Sequence, residues 1–569
     1  MAISEQWLPR SISSLRTYSV QQFGHDLASG ITVGLIAMPL AMAFGIASGV
    51  TPQAGLYTAF IAGFIISAFG GSRVQIGGPT GAFVVIVAGI VARFGLEGLS
   101  LVTLMAGVLL VIMGVSGLGS AVRFIPRPVI IGFTNGIALL IASTQVKDFL
   151  GLRIDRVPSS FLPRMQILLE NIATIQWPTV VIALATLMII VLWPHFSHRI
   201  PGSILALLSC TAASALLHLQ VETIGTRFGG IPQGFPRFTI PHLRAEHIVP
   251  LLSSAFTVAL LGAIESLLSA VVADNMAADR HNSNVELVAQ GIANIASPLF
   301  GGIPATGAIA RTAANIRSGA RTPVSGMIHA LTLLTILLAA APLARFIPLA
   351  SLAAILFVVA WNMGEWREIT SILRLTKADI AVWAATFVLT VVADLTVAVG
   401  VGMALAALLY IYRIAETTTV LPVTEQYLRD GQSHILQDKE IPPNVTILRI
   451  HGPFLFGTTQ KLEDATIDLN GFSAIVILRL RNMTALDATG VHALERFAER
   501  LRRTGRTLLF CGARDHPAEL LARAEFMEQV GRSNILPDIQ SALQRARDIG
   551  ASFNGVGPEI AQEMFGMKI

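Results

Sequence analysis

Leu261-Gly-Ala-Ile-Glu265-Ser266-Leu-Leu-Ser269-Ala, followed some thirty-five residues on by Gly301-Gly-Ile-Pro-Ala-Thr306-Gly307-Ala308-Ile-Ala-Arg311-Thr312, decides how this chain is read. The first stretch is an apolar helix carrying one carboxylate, Glu265. The second opens on Gly and Pro and continues as what reads as a half-length helix carrying Arg311. Ionisable side chains inside membrane-grade apolar sequence are expensive, and by default they mark a pathway or a site.

The rest of the chain sets that stretch in a membrane. Of its 569 residues 53% are hydrophobic and 13% charged, and the mean hydropathy is +0.66. Soluble proteins are far less apolar. Successive stretches of roughly 17 to 25 apolar residues are each long enough to cross a bilayer. Cys210 falls in a span and Cys511 in a predicted strand, which excludes a disulfide framework and suggests no metal set. The net charge of +5 is accounted for by basic loops on the cytoplasmic face and needs no nucleic acid. Residues 1–24 are polar and lack the apolar core of a signal peptide, so they read as a cytoplasmic N-terminal segment. No nucleophile–base set and no nucleotide loop is present; an enzyme is not expected, nor a cofactor.

Apolar spans fall at roughly 26–49, 53–70, 78–93, 97–118, 127–150, 177–195, 201–219, 249–273, 285–300, 305–317, 323–343, 347–363, 378–395 and 397–413. These are two sets of seven within a transport domain of residues 25–413. The third and the tenth are short and open on Gly77-Gly78-Pro79-Thr80 and Gly301-Gly302-Ile303-Pro304-Ala305-Thr306. They hold the same ordinal place in each half, with Thr80 and Thr306 about 226 residues apart. Short, Gly/Pro-interrupted segments at corresponding places point to a transporter binding site, and an odd number of spans per half makes the repeats inverted. Arg73, Arg123, Arg127, Arg199, Arg280, Arg321, Arg367, Arg374 and Lys377 lie in loops after even-numbered spans. Arg153, Arg156, Arg227, Arg237 and Arg244 lie in two long loops on the other side, where charge weighs less. The balance puts both termini in the cytoplasm of a multi-pass inner-membrane protein.

Two half-helix N-termini aimed at each other would make an anion cradle of free N–H groups and positive dipole ends. Thr80 and Thr306 occupy N-cap positions on this reading, with Gly307 and Ala308 beside them; either hydroxyl could cap its helix or bind the ligand. Arg311, about one and a half turns into the second half-helix, could pair with carboxylate, sulfate or bicarbonate, or pair with a neighbouring carboxylate instead. Glu265 is read as the carrier of a coupling proton, since a carboxyl out of water favours its neutral form; a structural bond to Arg311 or a helix end is the other reading. Ser269, one turn on, could share a ligand face with it. Pro39 is expected to break or kink the first span. Phe44 and Phe83 are candidate apolar walls, or plain packing. Asp274, Asn275, His281, Asn282 and Asn284 read as solvated or capping groups.

Residues 414–442 are polar, contain Pro422 and Pro442, and read as a linker. Val445–Ile450, Ala474–Leu480 and Arg506–Cys511 read as strands and Val491–Thr504 as a helix, a small α/β domain over residues 443–550 with a tail at 551–569.

Ile31 to Gly49 (ITVGLIAMPLAMAFGIASG) resembles the signature of the sulfate permease family. So do Gly77-Gly78-Pro79-Thr80-Gly81, Gly262-Ala-Ile-Glu265-Ser266 and the run Asn282-Ser-Asn284-Val-Glu286-Leu-Val-Ala-Gln290-Gly291. The resemblance implies a fourteen-segment inverted repeat whose core and gate parts move in an elevator-like manner, usually in a homodimer. Glu265-Ser266 with Ala-Ile-Ala-Arg311-Thr312 most resembles the family's bacterial proton-coupled C4-dicarboxylate carriers. Sodium-coupled bicarbonate members tend to have Asp at the position of Glu265 and no match to Arg311. The C-terminal domain resembles a STAS domain, whose Asp-Ser-Ser/Thr-Gly loop stands here as Asp487-Ala488-Thr489-Gly490. The usual phosphate acceptor is Ala488 in this chain, which leaves Thr489 as a candidate; dimerisation, trafficking or a cytoplasmic partner are the other roles implied. The expected function is secondary active transport of sulfate or C4-dicarboxylates such as fumarate and succinate with a proton. Sodium-coupled bicarbonate transport, an uncoupled anion channel or exchanger, and a regulatory scaffold are the rivals.

Overall fold

A computed structural model describes residues 7–16, 18–120, 126–155, 157–196, 201–241, 245–393, 395–423, 440–467, 469–524 and 526–554. Arg123, Arg156, Arg199 and Arg244, most of the expected linker, and residues 555–569 of the tail lie outside the described residues. The chain divides into two compact units, 1–406 and 407–569.

In the first unit a short helix α1 (Arg10–Leu15) precedes α2 (Val20–Ala47) and α3 (Pro52–Phe69). A two-residue strand β1 (Gly77–Gly78) leads into α4 (Gly81–Val115), which is two helices in sequence: Gly95, at φ 68° and ψ −170°, interrupts the ladder. The first piece is the expected half-helix and the second the fourth span. Then come α5 (Arg127–Leu150), α6 (Phe161–Glu170), α7 (Trp177–Leu192), α8 (Gly202–Leu216), α9 (Ile224–Phe228), α10 (Ala245–Ala277) and α11 (Ser283–Leu299). Strand β2 (Thr306–Gly307) precedes α12 (Ile309–Arg317), and α13 (Val324–Ala339), α14 (Ala341–Ala344), α15 (Leu349–Met363), α16 (Trp366–Ile372), α17 (Lys377–Val392) and α18 (Leu395–Thr417) follow. Each of the fourteen expected spans is a helix.

Pro39 does not break the first span: α2 is continuous from Val20 to Ala47 with Pro39 inside it. One missing N–H is tolerable in a long helix held on both sides, as α2 is by α3 and α13. Packing gathers α2, α3, α4, α10, α11, α12 and α13 into one group and α5, α7, α8, α15 and α17 into another. Within the first group backbones come close. A Cβ on Gly107 of α4 would lie 2.7 Å from the Gly291 carbonyl of α11, so only glycine lets these two helices pack as they do.

Glu286 fastens the turn between α3 and β1. It is fully buried; its Oε2 accepts from the Gly71 and Ser72 N–H groups (2.9 and 3.2 Å) and its Oε1 from Gln290 Nε2 (2.9 Å). Glu286→Ala would orphan all three donors, and we expect a loss of about 3–5 kcal/mol, read as a lower apparent melting temperature of the detergent-solubilised protein. An unchanged melting temperature would mean that water replaces the carboxylate without cost.

The second unit holds a five-stranded sheet in the order β3-β4-β5-β6-β7. Its strands are β3 (Thr419–Pro422), β4 (Val445–Phe454), β5 (Ile475–Leu486), β6 (Thr507–Cys511) and β7 (Ile535–Leu536). β3 is antiparallel to β4, and every other pair is parallel. The stretch 414–442 is read above as linker, yet four of its residues form edge strand β3. They are too few for periodicity to reveal, and pairing with Leu448–His451 makes the strand. Helices α19 (Gln460–Ala465), α20 (Ala488–Arg503), α21 (Asp515–Arg523), α22 (Phe526–Val530) and α23 (Ile539–Asn554) complete the domain. Val476, Leu478 and Leu480 bury one face of β5 against α20, while Ile475 and Ile477 bury the other with Ile539, Ala542 and Leu543 of α23. This is the period of two that marks a strand buried on both faces.

Candidate functional site

The site is organised by a two-stranded ribbon. β1 pairs antiparallel with β2, Gly77 opposite Gly307 and Gly78 opposite Thr306. A helix begins just after each strand, so the pairing sends the two helices away in opposite directions with their N-termini toward each other. Neither start carries a side-chain cap: Thr80 is the N-cap of α4 but makes no capping bond, and the N-cap of α12 is Ala308, which has no side chain to give one. Two helix N-termini thus keep their first-turn N–H groups free of side-chain caps.

The register corrects two expectations. Thr306 is not a cap: it lies in β2, where its Oγ1 is 2.6 Å from Ser266 Oγ and donates to the Gly262 carbonyl (3.1 Å). The counterpart of Thr80 is Ala308, because the second ribbon strand is followed by a shorter connection than the sequence offset implied. Arg311 accordingly lies in the first turn of α12 rather than a turn and a half along it.

Arg311 is 3% exposed. Its Nη2 donates to the Pro79 carbonyl, next to the cap of the first half-helix, while its Nη1 is buried without a hydrogen-bond partner among the described residues. A Cβ on Gly78 would sit 2.8 Å from that Nη1, and Gly78 adopts φ +144°; glycine is needed here on both counts. A guanidinium in the first turn of a helix opposes the dipole, an arrangement that a bound anion would relieve. Thr80 Oγ1 is likewise buried and unbonded.

Glu265 of α10 is 6% exposed and makes no hydrogen bond or ion pair among the described residues, so neither of its expected structural bonds is present. Ser266 ties α10 to the ribbon by accepting from the Gly307 N–H (3.1 Å), and its carbonyl accepts from Gln75 Nε2 (3.1 Å). Ser269 is 3.1 Å from Thr312 Oγ1, which also accepts from the Ile76 N–H (3.0 Å). The Ser269 hydroxyl is therefore engaged in holding α10 to α12. Phe83 is buried with its ring against Gly262, one turn from Glu265; Phe44 lies with Ile141 of α5 and Met363 of α15 around Gly81, at the start of the first half-helix. Ile141 and Met363 bring the second helix group to the start of the first half-helix.

Sequence reasoning missed Gln75, Thr312 and His329. His329 of α13 is fully buried, with neither ring nitrogen bonded among the described residues. Gln75, an amide just before the first Gly-Gly-Pro, carried a readable signal; Thr312 and His329 did not. Near α11, Asn282 caps the helix, one of the roles expected there, while Asp274 accepts from the His281 ring Nδ1 (2.7 Å) and Asn284 from the Gly119 N–H (3.1 Å). In the second unit Asp487 caps α20, accepting from the Gly490 N–H (2.8 Å) and the Phe456 N–H (3.0 Å), while Thr489 is exposed in the first turn.

The model of the sulfate permease family matches residues 23–386 and that of the STAS domain residues 437–542. A putative sulfate transporter, YvdB of Bacillus subtilis, is 43% identical over 519 residues, 91% of this chain and 96% of its own length. A bicarbonate transporter, BicA of Picosynechococcus, is 32% identical over 545 residues, 92% and 94% of the two chains. The solved transmembrane domain of a cyanobacterial BicA superposes with a TM-score of 0.62 at 36% identity, over 67% of this chain and 99% of that one. SLC26A9 superposes at 0.85 with 18% identity, over 99% and 95%, a likeness of fold. These matches, with the helix order and the paired half-helix starts, make the chain a member of the sulfate permease family, with a STAS domain following its membrane domain.

Proposed function

We propose that this protein is a proton-coupled secondary transporter of a small oxyanion, sulfate or a C4-dicarboxylate such as fumarate or succinate. One observation carries the reading: two helix N-termini without side-chain caps meet at a buried guanidinium, and among the described residues neither its Nη1 nor the nearby buried carboxyl of Glu265 has a hydrogen-bond partner. The N-termini and Arg311 would hold the anion, with Thr80, Thr306, Gly307 and Ala308 around it and Phe44 and Phe83 as walls. Glu265 would carry a proton inward with each anion, offsetting charge moved through a low-dielectric region. The helix group bearing the site would shift as a body against the group containing α5 and α15, exposing the site to each side in turn. We place the protein in the inner membrane, as a dimer with both termini in the cytoplasm.

The relatives named as bicarbonate transporters support a second reading, bicarbonate with sodium. A sodium ion needs several oxygen ligands. Glu265 and Ser269, whose hydroxyl is 3.1 Å from Thr312 Oγ1, fall short of that number by themselves. Uptake of labelled sulfate, fumarate and bicarbonate into proteoliposomes, under an inward proton gradient or an inward sodium gradient, tests both. Proton-driven accumulation of sulfate or fumarate is expected. Sodium-driven accumulation of bicarbonate alone would replace the proposal, and equilibration without accumulation would make the protein a channel or exchanger.

A further inference from the structure

One face of β5 runs Ile475, Ile477, Arg479, Arg481, apolar where α23 covers it and basic where α23 begins. On β6 the same face runs Leu509, Cys511 and passes into Gly512 and Arg514. The change from apolar to basic opens a cavity of about 210 Å³ at the C-terminal end of β6, lined by Arg479, Arg481, Cys511, Gly512, Arg514 and Asp538 among others.

The charges there are unbalanced. Three guanidinium groups face one carboxylate, and Asp538 already accepts from the Ser541 N–H (2.9 Å) at the start of α23. Arg479 is buried, whereas Arg481 and Arg514 are exposed and make no hydrogen bond or ion pair among the described residues. Burial pushes the Cys511 thiol up to about 12, so it adds no negative charge. Gly512, at φ +76°, leaves room beside Arg481: a Cβ there would come within 3.4 Å of Arg481 Cβ. On α20, by contrast, Arg496 pairs with Glu463, and Arg502 and Arg503 share Glu499.

The geometry points to a binding site in the STAS domain for a dianionic tetrahedral oxyanion, a sulfate or a phosphate group, gripped between Arg481 and Arg514 over Arg479. It lies in the second unit and does not depend on the transport site. Paired guanidinium forks match two edges of such an anion, and the surplus of two positive charges matches its valence. The site suits a free inorganic anion or the phosphate of a mononucleotide.

The test uses the full-length protein in lipid nanodiscs carrying Arg311→Gln, so that the membrane site does not compete. Hydrogen exchange over residues 512–516 and 537–541 is followed while sulfate, phosphate or adenosine monophosphate is added at constant ionic strength in chloride. Saturable protection by at least one is expected, with affinity weakened about tenfold or more when Arg481→Gln and Arg514→Gln are combined. Both side chains are exposed, so the fold should persist, which the melting temperature checks. Stronger protection by the mononucleotide would identify a phosphate ester as the ligand, and equal or stronger protection by sulfate or phosphate the free anion. No protection by any of the three, or protection unchanged in the double variant, would overturn the proposal.

Discussion

Arg311→Gln is expected to weaken anion binding by about 3 kcal/mol, roughly a hundredfold in affinity, and to abolish concentrative uptake at ordinary substrate levels. The buried guanidinium spends one nitrogen on the Pro79 carbonyl and holds the other, Nη1, unbonded beside Gly78. A glutamine amide can still donate toward Pro79, so the contact between the half-helices is retained in part and the protein should fold. The fixed charge and the second donor are lost. Arg311→Lys restores charge without the planar fork and should recover only part of the affinity. Substrate-induced protection against thermal unfolding, measured beside uptake, separates binding from turnover. Wild-type affinity in Arg311→Gln would remove Arg311 from the binding site and leave it a strut between the half-helices.

Glu265→Gln is expected to separate transport from the proton gradient. One pH unit stores about 1.4 kcal/mol per proton, enough for about tenfold accumulation in a one-proton symport with the membrane potential clamped at zero. Wild type should approach that ratio. Glu265→Gln, which cannot exchange a proton at that position, should bring internal and external anion only to equality while still exchanging labelled for unlabelled substrate. Glu265 makes no bond among the described residues, so the substitution breaks no structural tie. The internal-to-external ratio at steady state, with and without the gradient, is the measurement. A tenfold ratio surviving in the variant would mean that another group carries the proton. His329, buried and unbonded near the ribbon, would be the next residue to replace.

Both predictions rest on residues the sequence exposes without a structure, and the reason is physical. A carboxylate or guanidinium in an apolar run is conspicuous because the membrane makes it costly, so Glu265 and Arg311 stand out from Leu261 to Thr312 alone. The two Gly-Pro breaks are equally visible, since glycine and proline end helices wherever they stand. What surrounds Arg311 was not legible. Its partner, the Pro79 carbonyl, is 232 residues away, and the Thr312 hydroxyl that receives the Ile76 N–H is 236 residues away. No local pattern encodes such bonds. His329 lay in an apolar helix where a lone histidine carries no periodic signal.

The sequence by itself determined the membrane class, the fourteen spans, the pairing of the two halves and the α/β domain behind them. Each of these follows from the length and period of apolar runs and from the Gly/Pro breaks between them, which are local properties. The tertiary structure alone decided that Ala308 and not Thr306 opens the second half-helix, that Ser269 is bound to Thr312, that α2 continues through Pro39, and that Thr419–Pro422 is a strand. Each depends on which backbone or hydroxyl group lies opposite after folding. A polar group withdrawn from water takes the partner the fold presents, and that partner is seldom its neighbour in the chain.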